Sequence, residues 1–123
     1  MASLHNDVFD NGLNTLDTYT ETLHILKADP GLTWSNIATH GIGNKTTPGI
    51  SAPGDRGAGG REVTISAITD GTVTATETAS HWALTDDSET KILASGALSA
   101  TQAVTSGNTF TLAEFKIGIP DPA

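Results

Sequence analysis

Alternating apolar and polar residues dominate the second half of the chain. From position 62, Val63, Ile65 and Ala67 fall on one side, and Thr64 and Ser66 fall on the other. This period of two is typical of a β-strand with one buried face. Similar short segments continue to position 119, separated by Gly, Asp and Asn, so the pattern predicts an all-β domain.

Turn residues divide this region into hairpins. Asp70 and Gly71 follow the first strand, and an Asp-Gly pair supplies the positive φ that a tight hairpin turn requires. We therefore predict a hairpin whose returning strand covers 73–79. A second hairpin is predicted from strands at 81–85 and 91–95, joined by an acidic turn. A short edge-like strand at 102–104 and a turn at 106–108 then precede the last strand.

The last strand, 109–119, changes phase partway along. Phe110 and Leu112 occupy even positions, whereas Phe115, Ile117 and Ile119 occupy odd ones. A shift of one residue moves a strand's apolar side chains to its other face. The strand is therefore predicted to bulge or to change sheets at positions 113–114.

The N-terminal part is less regular. Apolar residues between 3 and 16 recur near the helical period, which predicts a short or broken helix with Ser3 as its N-cap. Alternation at 21–27, closed by a turn at 29–31, predicts the first strand. Residues 33–61 show the least regular pattern of the chain.

A glycine-rich stretch lies at 51–60, where four of the ten residues are glycine and one is proline. Ordering such a backbone is entropically costly, so we predict either a flexible loop or an arm that becomes ordered against a partner. The candidate partner-binding residues are Gly54, Asp55, Arg56 and Gly57, together with Arg61 just beyond the stretch.

About six or seven short strands, spaced roughly 8 to 12 residues apart, favour an antiparallel β-sandwich of jelly-roll or immunoglobulin-like type. A small barrel is the alternative. With 123 residues, the chain is expected to form one domain, with an N-terminal segment at 1–20. The predicted core is drawn from the strands and comprises Val63, Ile65, Val73, Trp82, Leu84, Ile92, Phe110, Leu112, Phe115 and Ile117.

The composition of the chain argues against several classes of partner. The net charge is −8 with only six Lys and Arg, which argues against a nucleic-acid partner. There is no cysteine, and no apolar run approaches the roughly 18 residues of a membrane span. Neither a membrane partner nor a signal peptide is predicted, and we expect synthesis in a cytoplasm.

Catalytic and metal-binding patterns are weak. The GIGNKT run at 41–46 departs from a phosphate-binding loop because Asn44 stands where that motif has glycine. The four histidines show no ligand spacing, and Asp86, Asp87 and Glu89 lack the spacing of a calcium loop. We therefore predict no catalytic residue, no metal and no cofactor.

Three runs resemble small virion proteins of tailed bacteriophages: HWALTD at 81–86, KILASGAL at 91–98 and VTSGNTF at 104–110. REVT at 61–64 and IGIPD at 117–121 are similar to the same group, so the resemblance covers about 60–119. It implies a small β-sandwich that is added to a virion surface, often as a trimer. It supplies no catalytic residue.

The function expected from this resemblance is a capsid decoration protein, made in the host bacterial cytoplasm and bound outside the head to the lattice of the major capsid protein. A tail-fibre-like or other tail or neck protein is the nearest alternative. A small carbohydrate-binding module and a β-sandwich hydrolase are two others; the first needs exposed aromatic rings on one face, and the second needs clustered carboxylates or histidines.

Overall fold

The structure is a computed structural model that describes residues 3–4, 12–57 and 59–119. This part of the chain forms two short helices, ten strands and one 3₁₀ turn at Asp87–Glu89. The helices are α1 (Asn14–Tyr19) and α2 (Ser35–His40). The strands are β1 (Ser3–Leu4), β2 (Thr22–Leu26), β3 (Gly41–Thr46), β4 (Gly54–Asp55), β5 (Arg61–Ile65), β6 (Ile68–Val73), β7 (Glu77–Asp86), β8 (Lys91–Val104), β9 (Thr109–Leu112) and β10 (Phe115–Ile119).

The strands form two antiparallel sheets of unequal size. The larger has seven strands in the order β1-β8-β7-β2-β3-β6-β9, and the smaller has three in the order β10-β5-β4. The predicted all-β, antiparallel, sandwich-like fold is therefore confirmed. Because three strands cannot cover seven, part of the inner face of the larger sheet has no sheet above it.

The main core lies between the two sheets. Of the predicted core residues, Leu112 and Phe115 are partly buried and pack against this core. The other eight are buried: Val63, Ile65, Val73, Trp82, Leu84, Ile92, Phe110 and Ile117. A second, smaller apolar cluster consists of Leu26, Ala83 and Ile92. Trp34, the N-cap residue of α2, and Ile37 within α2 pack against it.

The predicted phase change in the last strand is confirmed as a change of sheet. β9 pairs with β6 in the larger sheet, whereas β10 pairs with β5 in the smaller one. Residues 113–114 make the crossing. The predicted second hairpin is also confirmed, since β7 and β8 pair from Asp86 and Lys91 onward around the 3₁₀ turn. The short strand expected at 102–104 is instead the end of β8.

The predicted hairpin at Asp70–Gly71 is wrong. Both residues lie inside β6, which pairs with β3 and β9, while β5 belongs to the other sheet. Gly71 is needed there for space, because a Cβ at this position would lie 2.2 Å from the ring of Phe110.

The first half of the chain also holds elements that its pattern did not predict, since residues 33–61 contain α2, β3 and β4. One prediction there is wrong. Ser3 begins a two-residue strand rather than a helix, and the helix that forms, α1, starts at Asn14. Positions 5–11 of the predicted helix lie outside the described residues. The strand predicted at 21–27 is confirmed as β2.

Candidate functional site

The predicted partner-binding residues lie together on the small sheet. Gly54 and Asp55 form β4, where Asp55 pairs with Arg61 of β5. The Arg61 guanidinium donates to the Asp55 carboxylate at 2.6 Å and to the Pro53 carbonyl at 3.2 Å. The Arg61 guanidinium, which was predicted to bind a partner, therefore binds residues of its own loop.

The rest of the glycine-rich stretch is also hydrogen-bonded to its own domain. Arg56 donates its side chain to the Gly59 carbonyl at 2.9 Å, and its backbone amide to Gly60 at 3.0 Å. The Ser51 amide donates to Thr64 O at 2.9 Å, and Gly57 lies exposed at the turn. The choice between a flexible loop and an arm that orders against a partner is not decided by these contacts and stays a prediction.

A second cluster joins β2, β7 and the 3₁₀ turn through hydroxyl groups. The Asp87 carboxylate accepts from Thr22 Oγ1 at 2.5 Å and from Thr85 Oγ1 at 2.7 Å. His24 Nε2 lies 3.2 Å from the same Thr85 oxygen. Since the Thr85 hydroxyl donates its proton to Asp87, the neutral imidazole donates Nε2–H to Thr85.

Burial and hydrogen bonding shift the pKa values in this cluster. Burial lowers the pKa of His24, and the nearby Asp87 carboxylate partly opposes that shift. Burial raises the pKa of Asp86, and a hydrogen bond with Glu21 adds to the rise. The Glu21 pKa is lowered chiefly because Ser88 donates to its carboxylate through hydroxyl and amide.

The order His, Thr, Asp superficially matches a nucleophilic relay, but the geometry is that of a structural clamp. Thr85 is 0% exposed, so no substrate carbonyl can reach its hydroxyl. Across 12–57 and 59–119, no group of three or more His, Asp or Glu residues could hold a metal ion. The cluster ties the loop after β7 to β2.

A cleft of about 750 Å³ lies between β8 and the β9–β10 segment. One wall is formed by residues 96–102, the other by residues 111–116, and Trp82 lies at the floor. We call this the β8–β10 cleft. Its lining comes from strands of both sheets.

Two aromatic rings form the floor of the β8–β10 cleft. The Trp82 and Phe115 ring centroids lie 4.8 Å apart at an interplanar angle of 43°. Trp82 pairs with Gly96 across β7 and β8, and a Cβ at Gly96 would lie 2.9 Å from the indole. The missing side chain at Gly96 lets the indole lie over the backbone of β8, so the base of the cleft is apolar.

Open strand edges flank the cleft. The outer edge of β8 is paired with β1 only at Ala94 and Ser95. No other described strand pairs along this edge at 96–104, and β9 and β10 each end their sheets. Unpaired backbone N–H and C=O groups on an edge form a template for another strand.

The two edges approach each other because the larger sheet curls. Gln102 of β8 donates Nε2–H to the Thr111 carbonyl of β9 at 3.0 Å, although the two strands lie near opposite ends of the sheet. Charge is scarce here. Residues 96–104 carry none, and Lys116 at the rim is paired with Glu62 at 3.6 Å and Glu114 at 3.8 Å.

The β8–β10 cleft was not predicted from the sequence. Its floor residues, Trp82 and Phe115, were correctly placed in the core, but the approach of β8 to β9 depends on how the whole sheet curls. One signal was readable: GALSATQAV at 96–104 has no charge in a chain with 14 Asp and Glu. An uncharged stretch of this kind indicates a strand edge that another chain can contact.

Comparison with known proteins gives no relative. No protein-family model matches the chain, and no curated protein or solved structure shows significant similarity to it. None of the helices in the described ranges is long and apolar enough to cross a membrane.

Proposed function

We propose that this protein is a non-enzymatic structural component of a bacteriophage particle, bound to the outside of the head as a capsid decoration protein. The observation that carries the proposal is the β8–β10 cleft, because a largely apolar groove between strand edges that no other described strand covers suits attachment to another polypeptide. The resemblance of 60–119 to virion proteins is the reason for proposing a bacteriophage particle as the place of attachment.

The chemistry of the cleft supports a binding role over hydrolysis. Glu114 is the one carboxylate among the residues that line it, and it is paired with Lys116. A glycosidase needs two carboxylates on either side of the scissile bond. The hydroxyl of the other candidate cluster, Thr85, is buried.

The acidity of the chain supports an outer position. A net charge of −8 disfavours contact with packaged DNA, which binds clustered Lys and Arg. On a lattice of repeated capsid subunits, many weak copies of one contact give firm attachment without a deep pocket. The partner in this proposal is therefore the major capsid protein.

The alternatives differ in what they need. A carbohydrate-binding module would need exposed rings, yet Trp82 is 8% exposed, and Tyr19, at 57%, is the exposed aromatic residue of the described part. A tail or neck protein would use the same cleft on another part of the particle. Location on the particle is thus what an experiment must determine.

Immunogold electron microscopy tests the proposal. Antibodies against the purified protein are applied to particles induced from the bacterial strain that carries the coding sequence, with a deletion strain as control. We expect label over heads and no label on the deletion particles. Purified protein added to the deletion particles should bind to saturation and raise the melting temperature of their capsids.

Other labelling patterns would change the conclusion. Label restricted to tails would replace head decoration with the tail-fibre-like alternative. Purified particles with neither label nor the protein's peptides by mass spectrometry would exclude a virion role.

A further inference from the structure

We infer that the β8–β10 cleft is the receptor for one extended segment of a partner polypeptide, which inserts as an antiparallel strand beside β8. The inference rests on the proposed function, since it names the form of the partner at that site. The segment is uncharged at its centre and apolar at alternate positions.

The first argument is the width of the gap. Gln102 reaches Thr111 through its side chain, so the backbones of β8 and β9 are farther apart than the roughly 4.8 Å between paired strands. An inserted strand would separate its neighbours by about twice that spacing. The side-chain amide of Gln102 donates a hydrogen bond to the Thr111 carbonyl. The backbone N–H of an inserted strand would donate to β9 in the same way.

The second argument is the kind of segment that fits. A strand that lies between two edges must have both of its own edges free. A segment that already belongs to a sheet, including an edge strand in a second copy, has one edge occupied and cannot pair on both sides. A flexible extended segment meets this requirement.

The third argument is that this edge already accepts a strand. Ser3 and Leu4 pair antiparallel with Ser95 and Ala94, directly beside the open stretch. β8 stays in register with β7 at 96–97 and at 102–104, with a bulge at 98–101 between them, so an incoming strand would continue the ladder over 96–97 and pair again beyond the bulge. We therefore assign an antiparallel orientation to the incoming strand.

The fourth argument gives the side-chain pattern. Alternate residues of the inserted strand would face Trp82, Leu98 and Phe115, which are apolar. A charge placed there would lose its hydration without a partner, because the rim charges are paired with one another. The segment therefore alternates apolar residues with small or polar ones and carries no charge at its centre.

Selection from a displayed library of random nine-residue peptides tests the inference. The immobilised full chain is the target, and an enriched peptide is then synthesised in two forms: unmodified, and N-methylated at alternate residues. We expect the enriched peptides to alternate apolar and polar residues. We also expect N-methylation to abolish binding, because backbone hydrogen bonds are lost while the side chains stay the same.

Two variants locate the binding. Leu98→Lys places a charge inside the cleft and should weaken binding of the enriched peptide at least tenfold. Ala67→Lys places the same charge on an exposed alanine outside the cleft and should leave affinity within about twofold. The comparison between the unmodified and the N-methylated peptide is made on the unaltered protein. The inference can therefore be tested even if Leu98→Lys folds poorly. Bound peptide should also slow amide exchange at 96–104.

Several outcomes would overturn the inference: no enriched peptide, equal binding to Leu98→Lys where that variant is folded, equal binding after N-methylation, or unchanged exchange at 96–104. Protection of those amides in the protein alone, together with self-association, would identify a second copy as the occupant. Particle labelling does not depend on this cleft, so a labelled head without peptide binding would reject the inference and retain the proposed function.

Discussion

At the scale of single residues, two glycines make room for the aromatic rings of the core. A Cβ at Gly71 would lie within 2.5 Å of three atoms of the Phe110 ring, and one at Gly96 would meet the Trp82 indole. Gly71 was predicted to form a turn, because Asp-Gly pairs usually do. Its actual role depends on a residue 39 positions away, which local sequence cannot reveal.

Replacing Gly71 with alanine should destabilise the protein by about 1 to 3 kcal/mol, since an added methyl group in a packed core forces rings and backbone to shift. Gly54→Ala is the matched control, because a Cβ there has no atom within 4 Å. Urea unfolding of both variants measures the difference. Equal midpoints would mean that Phe110 moves aside at no cost.

The buried imidazole of His24 should make stability depend on pH. Its pKa is lowered from 6.5 in the folded state, so as pH falls below that value the unfolded chain binds a proton that the folded chain excludes. Stability is therefore full above 6.5 and declines as pH falls towards the folded pKa. The raised pKa of Asp86 changes stability with pH in the opposite direction. Because Asp86 is present in every variant compared, it does not account for differences between them.

His24→Gln should flatten this decline, as measured by denaturant unfolding between about pH 7 and pH 5. His81→Gln is the control, because that ring lies on β7 and contacts Ser80 instead of Thr85. A decline as steep in His24→Gln as in the unaltered protein would contradict the prediction.

At the scale of elements, prediction from sequence succeeded where local pattern and tertiary pairing agree. The phase change between Leu112 and Phe115 predicted the crossing between sheets, and β7 with β8 formed the expected hairpin. β3 was missed because its sequence, GIGNKT, is poor in strand formers. Gly43 is nevertheless required there, since a Cβ would lie 2.7 Å from Thr72 O of the neighbouring strand.

The candidate site was predictable only in part, for the same reason. Residues close in sequence, Asp55 and Arg61, were correctly grouped, but the ion pair between them shows that they bind each other. The β8–β10 cleft joins residues 96–102 to 111–116 through the curl of the sheet, which no local pattern encodes. The helix α2 was missed because six residues are too few to display a helical period.

The loop at 51–60 should depend on Arg61 for its order. Arg61→Ala removes the contacts with Asp55 and Pro53, and should speed amide exchange within the loop by several-fold. Lys45→Ala is the control, because it removes a surface ion pair with Asp70 elsewhere on the molecule. Amides at 51–57 and 59–60 that are already unprotected in the unaltered protein would contradict this prediction and favour an arm that orders only against a partner.

At the scale of the whole molecule, we expect self-association. Among the described strands, β4 has an open edge away from the cleft that favours pairing or coverage, and the resemblance to virion proteins supplies the trimer. A net charge of −8 on each copy opposes association, so added salt should promote it by screening that repulsion.

Analytical ultracentrifugation at low and high salt measures this prediction. Leu98→Lys is expected to leave the trimer intact, since the β8–β10 cleft receives a partner segment rather than a second copy. A monomer at high micromolar concentration in both salts would exclude self-driven assembly, although a capsid could still template it.

The pairing of β5 with β10 also sets the order in which the molecule can be completed during synthesis. Ile65 pairs with Phe115, about 50 residues later in the chain. At roughly 5 to 20 residues per second, the ribosome needs about 3 to 10 s to make the intervening chain. During that interval β10 is not yet available to pair beside Val63 and Ile65. These two residues are buried in the finished protein. The nascent chain therefore exposes an apolar surface to chaperones for a period of seconds.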